Sequence, residues 1–350
     1  MIGETERALC YTATVKKILP IPKADKVCLA FINGWQCVIK INEFREGDLA
    51  IYYTIDSIPD FTDPNTALVK SRGGRVKTIK LRGVVSQGLL APLSWLEARG
   101  HDISNLQEGE DITERMGVTK YIATEEMDQY LPAGQSLIDD GTRAEFPICI
   151  PKSDEVRLQN KPHLLDYIAD RPIVITRKED GCSATFVFEN GDFKVCGRNF
   201  TWLAPTGSSR HYHAIANKFS IEESMRRLNR NIAVQGEIIG PKINGNRMKL
   251  EEYTFRVFNI WDLEAHEYLR WDEVKSICTT LALETVPVVF EGNASDLELT
   301  VEAFLSLAQE QTYRKNILAE GVVVKTNDES SRRVSFKVIS NKYLLKHDIY

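Results

Sequence analysis

The stretch "ITRKEDGCSATFVF" (Ile175–Phe188) joins two runs of strand-forming residues through Lys178, Glu179, Asp180 and Gly181. β-Branched and alternating residues on either side predict two strands, and the glycine predicts a tight hairpin turn between them. Lys178 and Asp180 would then sit at a hairpin mouth, where neither helps to bury a core. A lysine is a nucleophile only as the neutral amine, and its ordinary pKa of about 10.4 leaves very little of that form at pH 7. Burial or a divalent cation disfavours the ammonium, whereas carboxylates acting on it directly have the opposite effect. Asp180 therefore makes sense as a holder of a cation and its waters, and a nucleophilic Lys178 implies a metal. Alone, K-x-D-G is a weak pattern, because a solvated lysine on a β-turn has the same letters.

A chain of 350 residues has room for two domains, each with its own apolar core. Its 43% hydrophobic and 27% charged residues are in the balance of a soluble globular protein rather than a disordered one. No signal-like N-terminus and no run of 18 apolar residues is present, which predicts an intracellular, soluble protein of the cytoplasm or nucleus. The seven cysteines (Cys10, Cys28, Cys37, Cys149, Cys182, Cys196, Cys278) form no C-x-x-C pair, so they are expected to be reduced core residues rather than zinc ligands or redox centres. A net charge of −5 argues against indiscriminate polyanion binding by the whole surface.

Residues 9 to 93 read as almost wholly β. "GWQCVIKI" alternates apolar and polar residues, "EGDLAIYYTI" is expected to alternate again, and turn clusters separate short strands, which suits a five-stranded OB-like barrel. From Leu96 to about Asp128 the pattern loosens, and the linker is expected there. Beyond it, "PIVITRK", "SATFVFENGDFKVCGRN", "IAVQGEIIG", "TFRVFNIWD", "TVPVVFE", "EGVVVKT" and "RVSFKVIS" read as strands, with Asn190-Gly191 as a hairpin turn. Ser220 with Glu223 predicts a capping box, and Thr300 opens a helical pattern. The expected class is α+β: an OB-like barrel in residues 1–125, then a domain of antiparallel sheets with flanking helices in residues 126–350.

Further patterns follow Lys178 in a fixed order: "GRN" (197–199), "QGEIIGP" (235–241), "FRVFNIW" (255–261), "EGVVVK" (320–325) and "SFKVIS" (335–340). This succession resembles the nucleotidyltransferase motifs shared by ATP-dependent RNA and DNA ligases and mRNA capping enzymes. "FPICIPKSDEVRLQN" (146–160), "PIPKADKV" and "KTIKLRGVVSQGLLAPL" resemble the other elements of RNA ligases of the Deinococcus and Naegleria type, which carry an N-terminal OB module. The resemblance spans nearly the whole chain and implies an ATP-grasp-like ligase core.

What the resemblance implies can be set out residue by residue. Lys178 would attack the α-phosphorus of ATP and carry AMP as a phosphoramidate. Asp180, Glu237 and Glu320 would hold a hydrated Mg²⁺ or Mn²⁺. Arg198 and Arg157 would contact the nucleotide or a phosphate, Phe258 would stack on adenine, and Lys337 and Lys325 would bind phosphate. For either glutamate the plain alternative is an exposed strand-end carboxylate, for Phe258 a core residue, and for Lys325 a solvated lysine. Two departures stand out: Ile339 occupies the place of a second lysine in the last motif, leaving Lys337 alone or with Lys342, and Asn259 replaces an aspartate after Phe258.

"KSRGGRVKTIKLR" (70–82) holds six basic residues and no acidic one, placing Arg75, Lys77, Lys80 and Arg82 as candidate RNA-backbone contacts on the barrel. The sequence runs 13 residues past Lys337, so the C-terminal OB domain of DNA ligases and capping enzymes is not expected. "HYH" (211–213) lacks further ligands and reads as structural or RNA-facing. The expected function is an ATP-dependent RNA ligase that seals 3′-OH/5′-phosphate breaks, chiefly nicks in duplex RNA, acting as a monomer away from membranes. The alternatives are a capping-type guanylyltransferase and a non-catalytic RNA-binding protein.

Overall fold

The computed structural model describes residues 8–71, 73–121, 142–205, 207–329 and 332–347. The domain boundary expected at 125/126 lies outside the described residues. The chain divides into two compact units. One comprises Met1–Ala123 with Gln159–Pro162 and Asn341–Tyr350, the other Thr124–Leu158 with His163–Ser340.

The first unit contains β1 (Cys10–Thr14), β2 (Lys17–Pro20), β3 (Val27–Ile32), β4 (Trp35–Lys40), β5 (Leu49–Tyr53), β6 (Ser57–Ile58), β7 (Thr78–Leu81), β8 (Val84–Gln87), β9 (Leu89–Ala91) and β10 (Thr119–Lys120). Antiparallel pairing gives the orders β1-β5-β9, β2-β3-β4, β7-β8 and β10-β6. β4 is tied to β8 by Gln36, whose Nε2 donates to the Val85 carbonyl at 2.6 Å, and by the Val38 N–H, which donates to Ser86 Oγ at 3.0 Å. Trp35, Cys37 and Ile39 of β4 alternate inward as expected. β5 does not alternate: Ala50 and Tyr52 enter the core around Trp35, while Ile51 and Tyr53 enter a second core with Leu96, Ile112, Met116 and Val118.

That second core corrects the expected linker. Residues after Leu96 belong to the first unit, where Ile112 N–H donates to the Cys10 carbonyl at 3.0 Å and Thr12 N–H to the Glu110 carbonyl at 3.0 Å. The buried residues there are separated by turns, so no period marks them in the sequence.

The second unit contains β11 (Arg143–Glu145), β12 (Pro172–Lys178), β13 (Cys182–Glu189), β14 (Asp192–Cys196), β15 (Phe200–Trp202), β16 (Ile232–Ile239), β17 (Thr254–Asp262), β18 (Glu267–Tyr268), β19 (Glu284–Thr285), β20 (Val288–Asn293), β21 (Thr312–Arg314), β22 (Ile317–Leu318), β23 (Gly321–Thr326) and β24 (Ser335–Ile339). An eight-stranded sheet runs β11-β15-β14-β13-β16-β17-β18, with β19 parallel to β17, and a four-stranded sheet runs β20-β12-β23-β24. Phe186, Phe255, Trp271 and Met225 fill the core under the larger sheet. Each such side chain contributes about 1.5–3 kcal/mol when buried. Phe304 of the helix Val301–Glu310 and Phe336 anchor the core of the smaller sheet, with rings meeting edge to face.

β12 and β13 therefore do not form the expected hairpin. β12 pairs with β20 and β23, and β13 pairs with β14 and β16, so Lys178–Gly181 is a crossing from one sheet to the other. The hairpin expected at Asn190-Gly191 is present, with both residues at positive φ (52° and 92°), as a primed turn requires. Thr300 caps its helix, its Oγ1 accepting from Ala303 N–H at 3.2 Å. Ser220 does not cap: its backbone is left-handed (φ 47°, ψ 43°) where the chain turns sharply out of the helix Arg210–Lys218, and its side chain makes no cap bond to the helix Ile221–Leu228.

Candidate active site

The crossing places Lys178 at the end of β12, opposite Gly321 of β23, and so beside Glu320. Nζ of Lys178 donates to Glu320 Oε2 at 2.8 Å, and both side chains are about four-fifths buried (23% and 20% exposed). Burial pushes the lysine pKa down, but the charges of Glu320, Glu237 and Asp180 overcome it and hold the ammonium above the ordinary lysine range. The charges of three carboxylates, Glu320, Glu237 and Asp180, thus act on one amine, and Glu320 pairs with it directly.

Gly181 lets the two sheets meet. A Cβ there would lie 2.2 Å from the Ile238 carbonyl oxygen, so only glycine fits, and its N–H donates to Glu237 Oε1 at 3.0 Å. The Glu237 carboxyl is raised to about 8, first by burial and then by Glu320 and Asp180, with Lys178 pulling the other way. Asp180 is held by two residues that the sequence reading missed. Asn244 Nδ2 donates to its Oδ1 at 3.0 Å, and Arg247 Nη1 approaches Oδ1 at 3.2 Å. Both lie in the turn after "QGEIIGP", whose asparagine and glycine letters announce a turn but no partner.

Positive charge also stands near Lys178. Lys337 of β24 is lowered to about 8, first by burial, then by Lys178 and Arg157. Arg157 pairs with Lys337 in a short parallel bridge, where Lys337 N–H donates to the Val156 carbonyl at 2.8 Å. Its Nη1 is buried with no hydrogen-bond partner among the described residues. A buried, unpaired guanidinium donor is costly unless an anion completes it.

Of the two lysines expected on phosphate, Lys325 is not in this cluster. It pairs with Val174, four residues before Lys178 and so roughly 13 Å along the sheet. Its Nζ donates to the Phe258 carbonyl at 2.6 Å and lies over the rings of Phe258 and Trp271. Burial, with Arg333 nearby, lowers it to about 7. Phe258 is half-buried at a β-bulge, packed against the core of the larger sheet. Arg333 Nη2 donates to Asn259 Oδ1 at 2.9 Å, so the asparagine in place of aspartate still has a cationic partner. Arg198 forms a two-point bond to Asp154, at 3.1 Å from Nε and 2.7 Å from Nη2. Ile339 is a buried residue of β24, and Lys342 lies in the helix Asn341–His347 of the first unit.

Among the described residues no three His, Cys, Asp or Glu groups converge into a ready-made metal cage. Mg²⁺ is ordinarily bound by one or two carboxylates together with waters and substrate phosphates rather than by an all-protein cage. A raised Glu237 and an over-protonated Lys178 are both what an added divalent charge would relieve. His211 Nε2 lies 3.2 Å from Cys182 Sγ, and burial lowers its pKa to about 4. The cysteines are all free, and Cys149 corrects the core expectation by being exposed, next to Ile148.

In the first unit the basic run divides. Arg75 Nη1 lies 2.5 Å from Asp56 Oδ1 and its guanidinium covers the Tyr121 ring, whereas Lys80 and Arg82 stand exposed on the β7–β8 hairpin and Lys77 is half-buried. No helix among the described residues is long and apolar enough to cross a membrane.

These features are those of a ligase domain that follows an OB-fold module. A family model described as RNA ligase matches residues 171–339, and an OB-fold domain model matches residues 9–93. A comparison with curated proteins finds no match. Among solved structures, the chain is similar to a lysine-to-alanine mutant of the Naegleria gruberi RNA ligase with ATP and Mn, at 32% identity and a TM-score of 0.82 over 98% of this chain and 100% of that one. It is also similar to a glutamate-to-alanine mutant of that ligase with AMP and Mn (34% identity, TM-score 0.82, 98% of this chain and 100% of that one). The same ligase with PPi matches at 34% identity and a TM-score of 0.80, with the same coverage. The chain belongs to the RNA ligase family.

Proposed function

We propose that this protein is an ATP-dependent ligase that seals 3′-OH/5′-phosphate breaks in RNA, in particular nicks in a duplex. The observation that carries the reading is one buried amine, Lys178, paired to Glu320 within the field of Glu237 and Asp180, with Lys337 near enough for the two lysine charges to act on each other. In the first step the Lys178 amine loses its proton and its Nζ bonds to the α-phosphorus of ATP. The bridging Pα–O bond breaks, and pyrophosphate leaves. AMP then passes to the RNA 5′-phosphate, and attack by the 3′-OH on that phosphate releases AMP.

Asp180, Glu237 and Glu320 would hold Mg²⁺ or Mn²⁺, which when bound supplies charge neutralisation at the phosphates and lowers the amine pKa. Lys337 and Arg157 hold the phosphate oxygens as charge builds on them. Phe258 stacks on the base, and Arg198 contacts the nucleotide or the RNA 5′-phosphate. Residues 126–350 carry the chemistry. Residues 1–125 bind RNA chiefly through the exposed Lys80 and Arg82, with smaller parts for the less exposed Lys77 and Arg75. The reading takes the chain as a monomer.

The test is incubation with ATP or GTP and a divalent cation, followed by mass spectrometry. An increase of about 329 Da on Lys178 (AMP less water) with ATP is expected. An adduct from GTP alone would favour a guanylyltransferase, and RNA binding without any adduct a non-catalytic protein. Sealing assays on nicked duplexes with RNA or DNA at each end define the substrate.

A further inference from the structure

Glu320 sits one residue outside β23, so the strand ladder does not fix its amide. Its carbonyl accepts from Ser340 N–H at 2.8 Å. Its own N–H donates to the hydroxyl of Tyr313 at 3.1 Å, and the same hydroxyl donates to the carbonyl of Lys178 at 2.8 Å. One side-chain oxygen thus replaces a missing rung between the backbone of the lysine and that of the glutamate that receives its Nζ. A phenol has one donor and can accept in return, so the two bonds use its capacity in a single arrangement.

The ring is itself fixed. Tyr313 lies at the irregular position of the β21–β22 hairpin. The Arg177 guanidinium covers the ring at 5.1 Å, and Arg177 Nη1 donates to the Thr312 carbonyl at 3.1 Å. The hairpin therefore grips the nucleophile strand at two successive residues, Arg177 by side chain and Lys178 by backbone.

We propose that Tyr313 is a positioning residue for lysine adenylation, its hydroxyl setting the register between Lys178 and Glu320. The proposal rests on the function proposed above. A misplacement of reacting groups slows attack without weakening ligand binding, because ground-state contacts to the nucleotide remain.

The experiment is Tyr313→Phe, which keeps the ring and its Arg177 contact and removes only the bridge. Expected are a fall of about tenfold in single-turnover lysyl-AMP formation at saturating ATP, an ATP half-saturation within about twofold of the parent, and a melting temperature within a few degrees. Sealing of a pre-adenylylated nick, where the lysine is not the nucleophile, should keep more than about half of its rate. Adenylation at the parent rate overturns the proposal. A proportionate loss of both steps, or a variant that does not fold, makes the hydroxyl a general stability element and overturns it too. Absence of lysyl-AMP in the unmodified protein would instead refute the proposed function.

Discussion

Nζ of Lys178 and Oε2 of Glu320 form an ion pair at 2.8 Å, so the proposed nucleophile is an ammonium tied to its neighbour. Glu320→Gln keeps the shape and removes the charge. The loosened amine is offset by the loss of a carboxylate for the cation, and the second effect should dominate because proton release alone does not organise the phosphates. We expect a loss of about 10²-fold in lysyl-AMP formation, followed by intact-mass analysis, and complete loss in Lys178→Ala. A Glu320→Gln protein that adenylates at the parent rate would remove Glu320 from the site.

Glu237 gives a pH dependence for cation use. With its carboxyl raised to about 8, a cation must displace a proton at pH 7, and that cost vanishes as pH rises through 8. The Mn²⁺ concentration for half-maximal adenylation should therefore fall between pH 7 and 8.5, and chelation should abolish the reaction at either pH. Glu237→Gln should flatten the dependence. A midpoint that does not move with pH in the parent protein would contradict this account.

His211 predicts a stability slope. In the unfolded chain it titrates near 6.5, and in the fold at about 4, so between these values the unfolded state binds the extra proton. Its contribution is fully present above about pH 6.5 and is lost as pH falls toward 4. The difference in melting temperature between His211→Asn and the parent protein should change across that window. A constant difference would mean that the imidazole titrates normally.

On the barrel, Lys80→Glu with Arg82→Glu should weaken binding to nicked RNA and leave adenylation unchanged. The salt slope of log K should drop by about one per lost phosphate contact. Arg75→Ala should instead lower the melting temperature, since it removes the partner of Asp56 and the cation over Tyr121. Loss of adenylation in the Lys80/Arg82 variant would show that the hairpin serves more than RNA binding.

The strands of the second unit were legible because apolar runs bounded by turn residues mark them, and β17 coincides with "TFRVFNIWD". Order along the chain brought Lys178, Asp180, Glu237, Glu320 and Lys337 into view, since each motif is weak but their succession is not. What stayed hidden was pairing. Two strands joined by K-x-D-G look like a hairpin, and only the partners of β12 and β13 reveal a crossing between sheets. Tyr313, Asn244 and Arg247 reach Lys178 and Asp180 through side-chain hydrogen bonds that span 64 to 135 residues of chain, for which no local pattern exists. β5 misled for a related reason: a strand between two cores has no polar face to show.

The sheet crossing at Gly181 also distributes the proposed reaction centre over two sheets. Lys178, Glu320 and Lys337 ride with the small sheet, while Glu237 belongs to the large one, and Val174 of β12 packs its side chain into the large sheet's core. Remodelling that distant seam, for instance by trimming Val174 to alanine, would let the two halves drift by fractions of an ångström and detune phosphoryl chemistry with every reacting group still in place.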